Sequence, residues 1–411
     1  MKFDISQKND DQKIAMMVTA FFSYNLVTLL INTIVNLFVP NTPYDTAICM
    51  AVYAVFIFFA VNPVMRRLND INILFVFFCI LIYFSNCVFY PDNADKLLEF
   101  SLSFVFMVLP LYLLGAAIRD YKILLEYLEK ASHYIVLAGI VYYAILIFTG
   151  DELSSDNMSF AYYFLPFAII SFYSLINSFT VMSLARAVLS AIVLVLAGTR
   201  GPLMCLAVGI ILLIFFYQKS QAKRFFWAAA TAAFVIFIFS DYSTVFLTKI
   251  NRFLLSHNID NRIIVKFLEN NLLDDSGRGT IIAELQTAIK EKPLFGYGIM
   301  GDRVLTKYYA HNIIVEFIVS FGLIAGLCLF VFLLVTIIKN IFSVSLSKEY
   351  KIVCIFFITC GFVKLFVSGS YIQEPTFFLL IGALFSNKYV KGFSYYDKTS
   401  DKECLFKNKI S

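Results

Sequence analysis

Three residues have side chains that could take part in binding or catalysis: Arg200, Arg278 and His311. Each stands where the sequence predicts that a helix begins. Arg200 lies in the turn AGTRGPL between two hydrophobic runs, and Pro202 suits the first turn of a helix. Helix N-termini present unpaired N–H groups and a partial positive charge, and guanidinium groups bind phosphate oxygens in pairs. The three positions together predict a diphosphate site. The simpler interpretations are an interfacial anchor for Arg200 and a solvated loop charge for Arg278.

His311 is one of only three histidines in the chain and adjoins a glycine-rich turn. A neutral imidazole, with an ordinary pKa of about 6.5, can accept a proton from a sugar hydroxyl. A satisfied interfacial histidine is the alternative. Its neighbours in the sequence form a candidate substrate-binding set, which consists of Arg303, Tyr309, Asn312 and Glu316. Asp302 and Glu374 are further candidates. Glu316 lies in an apolar run, where an acid is costly and usually faces protein, and Tyr309 either stacks on a sugar or belongs to the aromatic belt.

Other kinds of site find little support in the sequence. Gly296, Gly298 and Gly301 give the pattern GxGxxG, but it follows a predicted helix and Pro293, so a tight turn is expected instead of a dinucleotide site. No metal-binding motif is visible, and neither a metal nor another cofactor is expected. The basic residues are dispersed between hydrophobic runs, which argues against nucleic-acid binding.

Long hydrophobic runs must position these residues. The chain has 411 residues, of which 60% are hydrophobic and 15% charged, whereas soluble domains are about half apolar and a quarter charged. A membrane crossing needs about 20 apolar residues, and the runs fit about twelve crossings. The doubtful boundary lies between the spans 159–178 and 181–198, and the tenth span is placed at 311–338.

The distribution of basic residues orients these spans. With the N-terminus inside, the short outer loops hold only Lys96 and Arg200, as the positive-inside rule requires. The sequence therefore predicts an all-α polytopic membrane protein with both termini cytoplasmic. Its parts are nine helices in residues 1–240, a large external loop with short helices in 241–310, three helices in 311–387 and a tail in 388–411.

The segments TRGPL, SGRGTIIAELQTAIKEKPLFGYG and HNIIVEFIVSFGLIAGL, in this order over residues 180–390, resemble the O-antigen polymerase and O-antigen ligase superfamily of bacterial envelope glycosyltransferases. The resemblance implies a metal-independent, inverting glycosyltransferase of the bacterial inner membrane. It would act at the periplasmic face, so residues 241–310 would be a periplasmic loop. Arg200 and Arg278 would hold the diphosphate of an undecaprenyl-linked donor, and His311 would orient or deprotonate the acceptor hydroxyl.

Within this resemblance the sequence favours a polysaccharide polymerase that joins undecaprenyl-diphosphate-linked repeat units. The ligase pattern has Gly, Thr or Tyr three residues after the glycine that follows HN, whereas Ala325 stands at that distance from Gly322. A ligase, which transfers the polymer to lipid A core, is the first alternative. A flippase for lipid-linked oligosaccharides is the second, although it needs a charged cavity within the bundle. The expected partners are the lipid-linked oligosaccharide, membrane lipid and a protein that regulates chain length.

Overall fold

A computed structural model of the chain describes residues 2–38, 44–149, 157–197, 199–217, 221–222, 225–227, 229, 241–256, 264–265, 268 and 277–386. Within these residues every regular element is a helix and no strand occurs. The expectation of an all-α chain is therefore confirmed for the described part. The predicted tail 388–411, and most of the predicted ninth span 225–240, lie outside the described residues.

The helices are numbered along the chain. The first half contains α1 Lys2–Phe38, α2 Tyr44–Arg67, α3 Asp70–Phe89, α4 Ala94–Ser103, α5 Leu109–Ala117, α6 Tyr121–Thr149 and α7 Asn157–Asn177. The second half contains α8 Val181–Leu196, α9 Arg200–Tyr217, α10 Asp241–Leu255, α11 Arg278–Glu291, α12 Gly301–Thr306, α13 Ile313–Phe321, α14 Leu323–Phe342, α15 Lys348–Phe357 and α16 Pro375–Ser386. Tighter or wider helical turns follow α4 at Phe104–Val108, follow α15 at Ile358–Val363 and Lys364–Phe366, and precede α16 at Tyr371–Gln373.

Five helical segments in the described part of the chain are long and apolar enough to cross a membrane. They are Gln7–Val35, Asp70–Phe89, Pro91–Ala117, Met158–Asn177 and Leu323–Phe342. Three shorter apolar helices are Val181–Leu196, Arg200–Phe216 and Pro375–Ser386. These are the features of a helical membrane protein. The total of about twelve spans and the external position of the loop stay predictions.

Burial separates the central helix from the peripheral ones. In α7, 78% of the most apolar window is buried, compared with 17% in α3 and in α14. A membrane helix that is apolar on all sides can face lipid, so low burial is expected for a peripheral helix. α7 therefore lies inside the bundle, while α3 and α14 present apolar side chains outward.

The turn between α7 and α8 determines the direction of every later helix. Thr180 accepts a hydrogen bond from the Ser183 N–H at 3.1 Å, and the Ser183 hydroxyl accepts one from the Thr180 N–H at 2.9 Å. This reciprocal pair is a capping box, which satisfies donors that a helix start leaves unpaired. Two separate helices therefore exist here, and the predicted boundary between residues 178 and 181 is confirmed.

The prediction of one continuous span over residues 311–338 is wrong. α13 and α14 lie on either side of Gly322, whose φ of 81° and ψ of 167° interrupt the helix. The Leu323 N–H donates to the carbonyl of Pro293 at 2.7 Å instead of continuing the helical ladder. Only α14 has the length and hydropathy to cross a membrane. His311 and α13 therefore precede the crossing.

Short helices occupy the described parts of the predicted external loop. α10 packs through Leu254 against Leu196 at the end of α8, together with Ile264. α11 packs through Leu285 against Ala310 and Val319. The expected partly helical character of this loop is thereby confirmed, and α11 is attached to the segment that carries His311.

Candidate functional site

Two segments distant in sequence approach Val367, one at its carbonyl group and the other at its side chain. Arg278, the first residue of α11, donates from Nη1 to Val367 O at 2.7 Å. Arg200 is the first residue of α9, and a Cβ on the next residue, Gly201, would lie 3.7 Å from Cγ2 of Val367 and against the hydroxyl of Tyr162. Both predicted helix starts are confirmed, and both approach the same short segment of the chain.

Arg278 begins its helix directly after a left-handed residue. Gly277 has φ 83° and ψ 3°, a conformation that glycine adopts without the strain of a Cβ. The 14-residue helix α11 therefore begins with Arg278, whose side chain is half-buried. This pairing of a helix N-terminus with an arginine favours an anion such as a phosphate.

His311 lies between the loop that follows α12 and the start of α13. Its Nδ1 atom is buried and has no hydrogen-bond partner among the described residues. Its ring centroid lies 3.9 Å from that of Tyr309. Burial, then Arg278, then Arg303 lower the pKa of His311 to about 4. The imidazole is therefore neutral at pH values around 7, the state that can accept a proton.

Arg303 belongs to a buried network. Its Nη1 atom lies 3.2 Å from Asp302 Oδ1 and 3.8 Å from Glu316 Oε1, and its Nη2 atom donates to Gln373 Oε1 at 3.2 Å. The exposed fractions of Arg303, Asp302 and Glu316 are 8%, 1% and 2%. Burial raises the pKa of Asp302, while Arg303 and three hydrogen bonds to the carboxylate oppose that shift. The structure thus brings Arg303 near His311 but surrounds its guanidinium with protein partners.

Asn312 and Glu316 contribute to the local fold. The Asn312 side chain caps α13 by accepting from the N–H groups of Ile314 at 2.9 Å and Val315 at 3.3 Å. Glu316 accepts hydrogen bonds from the Ser370 hydroxyl and, at 3.2 Å, from the Tyr371 N–H. Glu316 therefore fastens α13 to the segment before α16. The roles of both residues in substrate binding stay predictions.

Residues 364–374 contain one charged residue that the sequence interpretation missed, Lys364, and one that it named as a further candidate, Glu374. Lys364 forms an ion pair with Glu374, and its ammonium group lies 4.9 Å from the ring centroid of Tyr162. One signal was present in the sequence: Lys364 is a charged residue within the apolar run FVKLFV, and such residues commonly mark functional positions. Tyr162, in contrast, lies within α7, and nothing in the sequence distinguishes it from the adjacent Tyr163.

The glycine-rich turn packs against the end of α3 and the residues that follow it. Asn86 at the end of α3 donates to the carbonyl of Ile299 at 3.2 Å and accepts from its N–H at 2.7 Å. Asn93 donates to the carbonyls of Tyr297 and Ile299 at 2.7 and 2.9 Å. A Cβ on Gly298 would clash with Asn86 Oδ1 at 2.6 Å, so glycine permits the close approach. The expectation of a tight turn is confirmed.

No cluster of metal-ligating side chains occurs among the residues that the structure describes. The nearest group of acids around the site consists of Asp302, Glu316 and Glu374, each of which is engaged by a cation or by hydrogen bonds. The described residues around the site supply arginine and lysine cations, helix N–H groups and a neutral imidazole.

Comparison with known proteins identifies part of the chain. Residues 185–330 match the family described as O-antigen ligase, and this range contains Arg200, Arg278 and His311 but not residues 364–374. No curated protein and no solved structure matches the chain. Members of the matched family are glycosyltransferase-like enzymes, either polymerases or ligases. Residues 185–330 therefore form a domain of the O-antigen ligase family, and the chain is consistent with the O-antigen polymerase and ligase superfamily.

Proposed function

We propose that the protein is a polysaccharide polymerase. It would transfer a growing glycan from undecaprenyl diphosphate to the terminal sugar of another lipid-linked repeat unit, at the periplasmic face of the bacterial inner membrane. The observation that carries this proposal is His311, whose Nδ1 atom is buried and has no hydrogen-bond partner among the described residues, and whose pKa is lowered by burial and by Arg278 at the start of α11. A neutral imidazole can accept the proton of an acceptor hydroxyl, and a guanidinium at a helix start can stabilise a phosphate leaving group, so the two together suit transfer from a phosphate-bearing donor to a hydroxyl.

The proposed step balances without a metal or another cofactor. The acceptor hydroxyl oxygen attacks the anomeric carbon of the donor glycan, and the bond from that carbon to the diphosphate oxygen breaks with inversion. The acceptor proton passes to His311, and undecaprenyl diphosphate leaves. Arg278, Arg200 and the N-termini of α11 and α9 stabilise the charge on the leaving diphosphate. Because a bound diphosphate would offset the charge of Arg278, it would also raise the pKa of His311 and make it a better base.

Three substitutions test the site. In a strain that lacks the chromosomal copy, Arg200→Ala, Arg278→Ala and His311→Ala should each abolish long-chain polysaccharide on a gel while the protein remains in the membrane. Lys290→Ala is the matched control, because Lys290 is an exposed basic residue at the far end of the same helix as Arg278. Wild-type chain lengths in all three variants would refute the assignment of the site.

The ligase is the second candidate, because the matched family is described by that activity. The same deletion strain separates the two. Loss of a polymerase leaves a single repeat unit attached to lipid A core. Loss of a ligase leaves bare core and an accumulated lipid-linked polymer. We expect the first result, since Ala325 departs from the ligase pattern.

A further inference from the structure

The backbone of His311 has an uncommon conformation. Three non-glycine residues in the described chain have positive φ, and all three flank or follow α12: Met300 at 68°, Lys307 at 67° and His311 at 54°. Such a conformation is strained in a non-glycine residue and persists only where surrounding contacts enforce it. Contacts that enforce it at His311 therefore act on the candidate base itself.

Asp302 supplies one of these contacts. Its Oδ2 atom accepts a hydrogen bond at 2.9 Å from the N–H of Ala310, the fully buried residue before His311. Its Oδ1 atom is held by Arg303, through the backbone N–H at 3.0 Å and Nη1 at 3.2 Å. Thr306 closes the same loop by donating to the carbonyls of Asp302 and Tyr308, each at 2.9 Å. The carboxylate is thereby fixed, and it fixes the peptide that leads into His311.

Tyr309 supplies a second contact, on the ring. The Tyr309 and His311 rings lie 3.9 Å apart with 39° between their planes, and the Arg303 guanidinium lies 5.6 Å from the Tyr309 centroid. A guanidinium near an aromatic face is attracted to it, more strongly where water is excluded. Arg303 is also tied to Gln373. The imidazole therefore adjoins a tyrosine whose other contact is a buried, anchored cation.

We propose that Asp302, Arg303 and Tyr309 are positioning residues that hold His311 in its reactive orientation, Asp302 through the backbone and Arg303 through the Tyr309 ring. This inference rests on the proposed function for its kinetic consequences. It assigns Arg303 and Tyr309 to His311 instead of to the substrate. The immobilisation of His311 can be tested by its chemical reactivity, without any turnover.

The kinetic test is a double-mutant cycle. Asp302→Ala should lower kcat by about 100-fold, the effect of a misplaced catalytic group, with little change in KM for the lipid-linked repeat unit. In a His311→Ala background the same substitution should have almost no further effect on the residual rate, because groups that act as a unit are not additive. Equal losses in the two backgrounds would overturn the proposal. Glu284→Gln, an exposed acid on α11, is the control.

Two conservative pairs refine the test. Tyr309→Phe should retain activity and Tyr309→Leu should lose it, because the ring and not the hydroxyl contacts His311. Arg303→Gln should move the acidic limb of the pH–rate profile upward, since Arg303 is one of the cations that lower the pKa of His311, whereas Arg303→Lys should move it less. An unchanged limb in Arg303→Gln would contradict the proposed coupling of Arg303 to His311.

A chemical readout works even if the protein joins no repeat units. Diethyl pyrocarbonate modifies neutral histidines, and mass spectrometry reports each site. His311 should react faster in Asp302→Ala and Tyr309→Leu than in the wild type, while the exposed His133 serves as the internal reference. Unchanged His311 reactivity would refute the positioning proposal. Increased reactivity in a protein without polymerase activity would retain the positioning and refute the proposed function.

Discussion

At the scale of single residues, the neutral state of His311 has a consequence for stability. Its pKa in the folded chain is about 4, against about 6.5 for an ordinary histidine. Between these values the unfolded chain binds a proton that the folded chain does not, so the free energy of unfolding falls as the pH falls from about 6.5 to about 4. Thermal unfolding in detergent across this range should show that slope in the wild type.

The variant His311→Gln isolates this contribution. It cannot titrate, so its unfolding temperature should fall less than that of the wild type over the same pH interval. All other titratable groups are common to both proteins and cancel in the difference. Parallel curves for the two proteins would show that His311 has an ordinary pKa in the folded chain.

Single residues were predictable from sequence where a local signal marked them. Arg200, Arg278 and His311 stand beside glycine-rich turns at helix starts, and the structure confirms those helix starts for Arg200 and Arg278. The buried state of Arg303 was not predictable, because its partners Gln373 and Glu316 lie 70 and 13 residues further along the chain, and tertiary packing alone brings them together. Whether these residues bind substrate stays a prediction.

At the scale of helices, the break between α13 and α14 depends on Gly322. A Cβ at Gly322 would clash with the Leu294 carbonyl and lie 2.9 Å from the Phe295 nitrogen. Gly277 has a similar φ, 83°, but no atom lies within 4 Å of its Cβ position. The two glycines therefore separate conformational strain from steric overlap.

We expect Gly277→Ala to lower the free energy of unfolding by about 1 kcal/mol, the cost of a non-glycine residue in the left-handed region. Gly322→Ala should lower it by several times as much, because a backbone atom must move as well. Denaturation of both variants in detergent provides the comparison. Equal losses would contradict the steric account of the break.

The segment 364–374 lies outside the matched domain and contains the ion pair between Lys364 and Glu374. Lys364 is 21% exposed and Glu374 is 8% exposed in their side chains. Removing one partner of a buried pair costs about 3–5 kcal/mol, whereas replacing both by apolar residues is nearly neutral. Glu374→Gln should therefore destabilise the protein by about 2–3 kcal/mol, less than the full range because Lys364 is partly exposed. The double variant Lys364→Met, Glu374→Leu should recover most of the loss, and a double variant less stable than the single one would contradict this account.

Hydropathy alone could not reveal these features of the helices. The run IIVEFIVSFGLIAGL is apolar except for Glu316 and Ser320, and a glycine inside it is compatible with either a continuous helix or a break. The break follows from the Leu323 N–H bonding to Pro293, a tertiary contact. By contrast, the boundary between α7 and α8 was predictable, since Thr180 and Ser183 form a local capping signal.

At the scale of the whole molecule, the orientation in the membrane is a prediction that rests on the distribution of lysine and arginine. If the large loop is periplasmic, a cysteine in place of the exposed Lys290 should react with a membrane-impermeant maleimide in intact cells whose outer membrane is permeabilised. A cysteine in place of the exposed Lys122, in a predicted inner segment, should react only after lysis. The wild type, with its eight native cysteines, gives the background. The reverse pattern would invert the topology.

The general class of the molecule was evident from composition, because no soluble domain is so apolar. The number of membrane crossings was harder to predict from the sequence. Helices such as Val181–Leu196 and Arg200–Phe216 are shorter than a full span, and hydropathy cannot distinguish a short crossing from a buried helix. The family match covers residues 185–330 and does not bear on the helices before α8.

The central claim is that this molecule joins lipid-linked repeat units through His311. Its most direct test incubates the purified full-length protein with the undecaprenyl-diphosphate-linked repeat unit as the only glycan, and measures chain length and released undecaprenyl diphosphate. We predict chains of two or more units with one diphosphate released per bond formed, and only a small residual rate for His311→Ala, far below that of the wild type. Products that appear only when lipid A core is added, or undiminished synthesis by His311→Ala, would contradict the account.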